Sequence, residues 1–182
     1  MATTTNQLSW EAFEQLPDDG MHHELIEGEL QTLPPPKSKH SEVARRASRA
    51  LEVLEKHQLG RVHMEAGYKL TDDPPTWIQP DVSFLREERA TATDPDGFFL
   101  GAPELAVEVI SPSESAVDVE RKVELLLAHG SQVVWVIYPR TQKAHVFLSD
   151  GTASIRGIQD SLTLPGILPD WTLPVASLFE TE

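Results

Sequence analysis

Two carboxylates stand where a β-strand would normally carry apolar side chains. Asp81 follows Pro80 in the segment WIQPDVSFL, and Glu108 lies among leucine, valine and isoleucine residues in LAVEVI. Burying a carboxylate in such a strand costs free energy unless it is paired or binds a metal ion. If the two strands are neighbours, joined by the polar loop between them, we expect the two carboxylates to converge at one edge of a sheet.

Two converging carboxylates and a backbone carbonyl would make a hard oxygen site. Such a site suits Mg²⁺ or Mn²⁺ and not zinc, and phosphate oxygens can complete the coordination. The ligands predicted here are Asp81, Glu108 and the carbonyl of Val109. Lys122, in a helix that follows, could reach this site. Its ammonium group would orient a water molecule or neutralise the charge that develops on a phosphoryl group in the transition state.

Each of these residues also has an ordinary interpretation. Asp81 could cap backbone N–H groups, since Pro-Asp is a common turn pair. Glu108 could be an exposed edge-strand residue that pairs with a surface lysine. Lys122 could lie on a solvated helix face, and its neighbour Arg121 could take its role instead.

Other catalytic chemistries find little support in the sequence. The chain has no cysteine, which excludes disulfides, thiolate metal sites and a cysteine nucleophile. No glycine-rich phosphate loop and no serine nucleophile motif is present. A zinc-dependent hydrolase built on histidines is a weaker alternative, because the histidines lack the spacings specific for zinc. The histidines weighed for this role are His22, His23, His40 and His63.

The balance of charge limits the possible partners. Fifteen Lys and Arg residues stand against 29 Asp and Glu residues, a formal net charge of −14. Such a protein repels phosphate polymers at long range, although a bound divalent cation reverses the local sign. One basic patch, Arg45, Arg46 and Arg49, could meet a phosphate backbone, but pairing with Glu42 on the same helix is the favoured interpretation. No segment is apolar for long enough to span a bilayer, and the amino terminus lacks a signal sequence, so we expect a cytoplasmic protein.

The hydrophobic periodicity predicts a single domain over residues 1–182 that mixes helices and strands. A short helix is expected within residues 1–20, with Ser9 as its N-cap. Longer helices are expected over residues 38–57 and from Ser113 or Ser115 to His129. A strand or hairpin is expected in HHELIEGELQTL, and single strands in RVHMEAGYKL, WIQPDVSFL, ELAVEVI, QVVWVIYP and KAHVFL, with REERATATDPDGFFLGAP as a surface loop. The tail, residues 165–182, is expected to pack on the core or on a partner. An α/β or α+β sheet core flanked by helices follows.

These motifs, in this order, resemble the PD-(D/E)XK nuclease pattern and, more narrowly, the Uma family of restriction-endonuclease-like proteins. The matching segments are HHELIEGEL, LPPPKSKH, IQPDVSFL, PELAVEVISPS, ERKVELLLAHG, VVWVIYP and LPGI, which together span roughly residues 22–170. The resemblance implies a restriction-endonuclease-like core, a central mixed sheet flanked by helices, and magnesium-dependent phosphodiester hydrolysis.

Carried over residue by residue, the resemblance makes Asp81 and Glu108 metal ligands and Lys122 the catalytic lysine. Glu24 would be an accessory acid, although it could equally pair with His22 or His23. His40, at the start of a helix, could contact substrate. The chain departs from the plain motif in one place, because the position two residues after Glu108 holds isoleucine and not lysine.

The sequence thus predicts a Mg²⁺- or Mn²⁺-dependent endonuclease that acts on nucleic acid, with DNA as the expected substrate. A homodimer is expected if both strands of a duplex are to be cut. The competing hypothesis is a binding or assembly module that keeps the nuclease fold without catalysis of its own.

Overall fold

The structure, a computed structural model, describes residues 7–93, 97–112 and 114–180. Strands and helices are numbered along the chain. The helices are α1 (Trp10–Glu14), α2 (Ser38–Lys56), α3 (Glu87–Ala92) and α4 (Ala116–Ala128), followed by a 3₁₀ helix (Val175–Leu178). The strands are β1 (His22–Ile26), β2 (Glu29–Leu33), β3 (Gly60–Met64), β4 (Tyr68–Asp72), β5 (Pro75–Ile78), β6 (Val82–Arg86), β7 (Phe99–Leu100), β8 (Leu105–Val109), β9 (Val133–Tyr138), β10 (Lys143–Leu148), β11 (Ala153–Arg156), β12 (Ser161–Leu164) and β13 (Leu168–Pro174).

The strands form two large sheets and a hairpin. The six-stranded sheet has the order β11-β10-β9-β8-β6-β3, and within it β8 and β9 are parallel while the other neighbours are antiparallel. The five-stranded sheet has the order β2-β1-β5-β4-β7, and β12 pairs with β13. The predicted combination of helices and mixed sheets is confirmed.

The central strand β8 shows how alternation divides the core. Its odd-numbered side chains join one cluster with α2, and the even-numbered Ala106 joins another with Val123 and Leu126 of α4. Successive side chains of a strand point to opposite faces, so Glu108 lies on the α4 face. This is why a strand buried on both sides reads as an almost continuous apolar run.

Two predicted strands were wrong as single units. RVHMEAGYKL divides into β3 and β4, and WIQPDVSFL divides into β5 and β6, with the two halves in different sheets. The first break falls at Glu65, whose φ of 51° ends the extended conformation. The second falls at Pro80-Asp81. Alternation continues across both breaks, so the apolar pattern could not reveal them.

Helix positions followed the sequence more closely. Ser9 caps α1 by accepting a hydrogen bond from the N–H of Ala12, and Ser115 caps α4 in the same way from Asp118. Residues 1–6 and Ser113 lie outside the described residues. The expected surface loop after β6 is only partly irregular, since it contains α3 and β7. In the tail, Val175 and Leu178 are buried in the core, while residues 181–182 lie outside the description.

Candidate functional site

Four charged side chains from different elements line one cavity of about 470 Å³. Glu24 lies in the middle of β1, Asp81 in the link between β5 and β6, Glu108 near the end of β8, and Lys122 in α4. The structure therefore brings together all four side chains singled out in the sequence.

Strand register explains why these residues meet. Val82 of β6 pairs with Val107 of β8, so Asp81 stands one residue beyond that pair, beside Glu108. On the other sheet, Leu25 of β1 pairs with Trp77 of β5. That pairing places Glu24 next to the link that carries Asp81. The site is thus formed where the two large sheets approach each other beneath α4.

Lys122 joins the two buried glutamates. Its Nζ lies 2.8 Å from Oε1 of Glu24 and donates a hydrogen bond of 2.9 Å to Oε2 of Glu108. Burial lowers the pKa of Lys122, but the charges of Glu108 and Glu24 outweigh it and raise the pKa above its ordinary value. Lys122 is therefore a permanently charged ammonium group at neutral pH. Arg121, the alternative for this role, pairs instead with Glu27 and Glu29.

Glu24 has two donors on one oxygen. Besides Lys122, the backbone N–H of Gln79 donates to Oε1 of Glu24 at 2.7 Å. The histidines weighed as its partners make other contacts: His23 contacts Asp19 and Thr32, and His22 lies 4.0 Å from Glu65.

Asp81 is held by a backbone donor and a histidine. Its Oδ2 accepts a 2.6 Å hydrogen bond from the N–H of Val109 and lies 3.3 Å from Nε2 of His40. Burial lowers the pKa of His40, but the hydrogen bond and charge of Asp81, with smaller effects of Glu114 and the Val109 backbone, raise it overall. The capping interaction considered for Asp81 is thus real, and it fixes the carboxylate beside Glu108.

Glu108 is the incompletely satisfied member of the group. It is 6% exposed, and its Oε1 has no hydrogen-bond partner. Burial raises its pKa well above the ordinary value; Lys122 opposes that shift, and the negative charges of Asp81 and Glu24 add to it. A buried carboxylate with a vacant oxygen beside two other acids is a position that a cation would stabilise.

The His40–Asp81 pair was missed from the sequence. The sequence suggests His40 as a substrate contact or a zinc ligand and not as a partner of Asp81, because its helix and Asp81 are far apart along the chain. The one available signal was its place in the LPPPKSKH segment of the family resemblance. The backbone donors from Gln79 and Val109 carry no side-chain signal at all.

A family model described as "Putative restriction endonuclease", Uma2, matches residues 10–176. The chain belongs to the Uma2 family. The match covers nearly the whole chain and all four charged residues of the site.

One solved structure similar to this Uma2 chain is described as a "putative nuclease belonging to DUF820" from Anabaena variabilis. The TM-score is 0.82 at 24% sequence identity, and the match covers 94% of this chain and 97% of the other. This similarity shows a shared fold. No protein of curated function matches the chain. Within the residues that the structure describes, no helix is long and apolar enough to cross a membrane.

The donor chemistry of the site fits a hard divalent cation. Asp81, Glu108 and the Val109 carbonyl offer only oxygen ligands, and Oε1 of Glu108 has no hydrogen-bond partner. Among residues 7–93, 97–112 and 114–180, no group of three or more His, Asp or Glu side chains is arranged to hold a metal ion. Mg²⁺ does not require such a cage, since it is commonly held by one or two carboxylates, water and substrate phosphates.

Proposed function

We propose that this protein is a metal-dependent nuclease that hydrolyses phosphodiester bonds of nucleic acid, with DNA as the expected substrate. The observation that carries the proposal is the vacant buried oxygen of Glu108, placed beside Asp81, Glu24 and Lys122 in a cavity open to ligands. Membership of a family described as restriction endonucleases supports the same reaction class.

Asp81, Glu108 and the Val109 carbonyl would hold Mg²⁺ or Mn²⁺. Bound there, the cation supplies Lewis acidity at the phosphoryl group. Asp81 is fixed in position by the Val109 N–H, so this carboxylate needs little reorganisation when substrate enters.

Lys122 acts as a hydrogen-bond donor and a positive charge, not as a base. Its raised pKa keeps the proton on Nζ, so the group can orient the attacking water or stabilise negative charge on the phosphoryl oxygens. Glu24 is a positioning residue. Its carboxylate, held by the N–H of Gln79, fixes the ammonium group next to Glu108.

The test is cleavage of plasmid and single-stranded DNA in Mg²⁺ or Mn²⁺ by wild type, Asp81→Asn and Asp170→Asn. Asp170 is an exposed carboxylate on β13 and serves as the matched control. We expect cleavage by wild type and Asp170→Asn only, and its loss when EDTA replaces the metal. Equal cleavage by all three proteins, or none by wild type, would contradict the proposal.

A second candidate is a binding or assembly module without catalysis. It is favoured by one observation: Lys122 already pairs with both Glu24 and Glu108, an arrangement that can stabilise the fold by itself. A protein that binds Mn²⁺ at Asp81 but cuts no nucleic acid would support this alternative.

A further inference from the structure

Three cations without partners surround the candidate site. Lys37, Lys39 and Arg140 are exposed and line the same cavity as the acids. Within the described part of the chain, none of their charged groups has a hydrogen-bond or ion-pair partner. By contrast, Arg46 and Arg121, also basic residues of the surface, are held by neighbouring carboxylates.

These exposed cations are hydrated and available to an incoming anion. The protein carries a net charge of −14, so carboxylates are plentiful on its surface. Four carboxylates line the cavity, and all have partners: Glu24 and Glu108 pair with Lys122, Asp81 lies 3.3 Å from Nε2 of His40, and Glu114 accepts a hydrogen bond from the N–H of Ser111. Unpaired cations that line the same cavity can contact phosphates that flank a reacting bond.

Part of the cavity lining is apolar. This part is formed by Leu33, Pro34, Pro35, Pro36, Ile110 and Pro139. The volume of about 470 Å³ lies in the range of roughly 300–1,000 Å³ that holds single drug-sized molecules, and a nucleotide belongs to that size class.

We propose that the cavity receives one nucleotide of a single-stranded nucleic acid at a time, and not a base-paired duplex. This inference rests on the proposed nuclease function and names its substrate class. The proline wall, the His22 ring and the Arg140 guanidinium contact the base and sugar, while Lys37 and Lys39 bind the neighbouring phosphates. Bases stack on imidazole and guanidinium planes with little sequence preference.

Two physical arguments favour a single strand over the duplex. Proteins that read a duplex insert an element into a groove, whereas here the acids and Lys122 line a cavity of about 470 Å³. A nucleotide can enter such a cavity from a single strand, or from a duplex only after extrusion from the stack, which costs unpairing energy. Duplex DNA also carries one negative charge per roughly 1.7 Å of axis, twice the density of one strand, and so suffers more repulsion from this acidic surface.

The test measures the affinity for nucleic acid, so its result does not depend on catalysis. A fluorescent single-stranded oligonucleotide, its duplex and its RNA counterpart are titrated in Ca²⁺ against wild type, Lys37→Ala/Lys39→Ala/Arg140→Ala and a control, Lys56→Ala/Lys143→Ala/Arg156→Ala. The control removes three charges that are also unpaired but lie outside the cavity lining.

We expect wild type and the control to bind the DNA single strand at least about 10-fold more tightly than the duplex. The cavity variant should lose most of this affinity, and the slope of its salt dependence should fall by about 1.4, since each of the two phosphate contacts contributes roughly 0.7 on single strands. The RNA arm decides only which sugar is preferred.

Equal or tighter binding of the duplex, equal losses in the two triple variants, or no binding of any strand would overturn the inference. Cleavage is read separately. A protein that cuts duplex DNA as fast as single strands would refute the single-strand inference and leave the nuclease proposal standing. A protein that binds single strands but cuts no nucleic acid would refute the nuclease proposal and leave the single-strand inference standing.

Discussion

Two buried glutamates at opposite ends of one strand behave differently. Glu104 directly precedes β8 and Glu108 lies near its end, and each is 6% exposed. Their spacing of four residues puts them on the same face of the strand. Burial and strand face therefore do not distinguish the two glutamates, whereas their partners do.

Glu104 is fully satisfied. Its Oε1 accepts a 2.8 Å hydrogen bond from Arg89, and its Oε2 accepts one of 2.9 Å from the N–H of Arg86. Arg89 also donates to the carbonyls of Ala102 and Leu100. The Glu104 carboxylate and the Arg89 guanidinium thus each have several hydrogen-bond partners. A buried ion pair stabilises a fold only when its remaining polar atoms are satisfied in this way.

Glu108 has the opposite character. One of its oxygens has no partner, burial and two further acids raise its pKa, and it borders a cavity. A hydrogen-bond network in which every polar atom has a partner stabilises the fold, whereas a buried atom without a partner can bind a ligand. From this contrast we infer that Glu104 acts in stability and Glu108 in function.

The largest expected effect is on the rate of cleavage, which should depend on Glu108 and not on Glu104. We predict that Glu108→Gln lowers the rate of Mg²⁺-dependent cleavage by about 10²–10³-fold, because it removes a charged metal ligand from the reaction site. Glu104→Gln should keep the wild-type rate per folded molecule. Initial rates of cleavage of a labelled oligonucleotide measure the activity of both variants. A similar loss of rate in the two variants would contradict the different roles inferred for Glu104 and Glu108.

The second prediction concerns stability, for which Glu104→Gln should have the larger effect. Glu104→Gln leaves Arg89 without its carboxylate and should lower the free energy of unfolding by about 3 kcal/mol. Glu108→Gln should cost far less, because Lys122 keeps Glu24 as its partner. Urea denaturation of metal-free protein gives both values. A larger loss for Glu108→Gln would show that its pair with Lys122 is structural.

The third and smallest effect is a pH dependence. The raised pKa of Glu108 means that the folded protein keeps a proton that the unfolded chain releases above about pH 4.3. The metal-free protein should therefore lose stability as pH rises from the unfolded to the folded pKa of Glu108. This loss should be absent in Glu108→Gln and retained in Glu104→Gln. If the difference in free energy of unfolding between wild type and Glu108→Gln did not change with pH, this prediction would be contradicted.

The sequence singles out Glu108 as a candidate residue but gives no sign of the network around Glu104. Glu108 was conspicuous because apolar residues surround it, and the order of motifs pointed to Asp81, Lys122 and Glu24. Glu104 drew no attention, because a glutamate after a proline at the start of a strand is ordinary. Its partner Arg89 lies in a helix within a segment predicted as a loop.

What the sequence could not give was the division of strands between two sheets. The alternation through Glu65 and through Pro80-Asp81 continues across each break, since side-chain period alone does not register a change of partner strand. The cavity depends on those breaks. Its walls and its unpaired cations emerged only from the three-dimensional arrangement.

The most direct test of the central claim is calorimetric titration of Mn²⁺ into wild type, Glu108→Gln and Glu104→Gln at pH 8 and low temperature, where all three are folded. The account predicts Mn²⁺ binding with the same affinity in wild type and Glu104→Gln, and none in Glu108→Gln. Equal binding by all three proteins, or no binding by wild type, would contradict it.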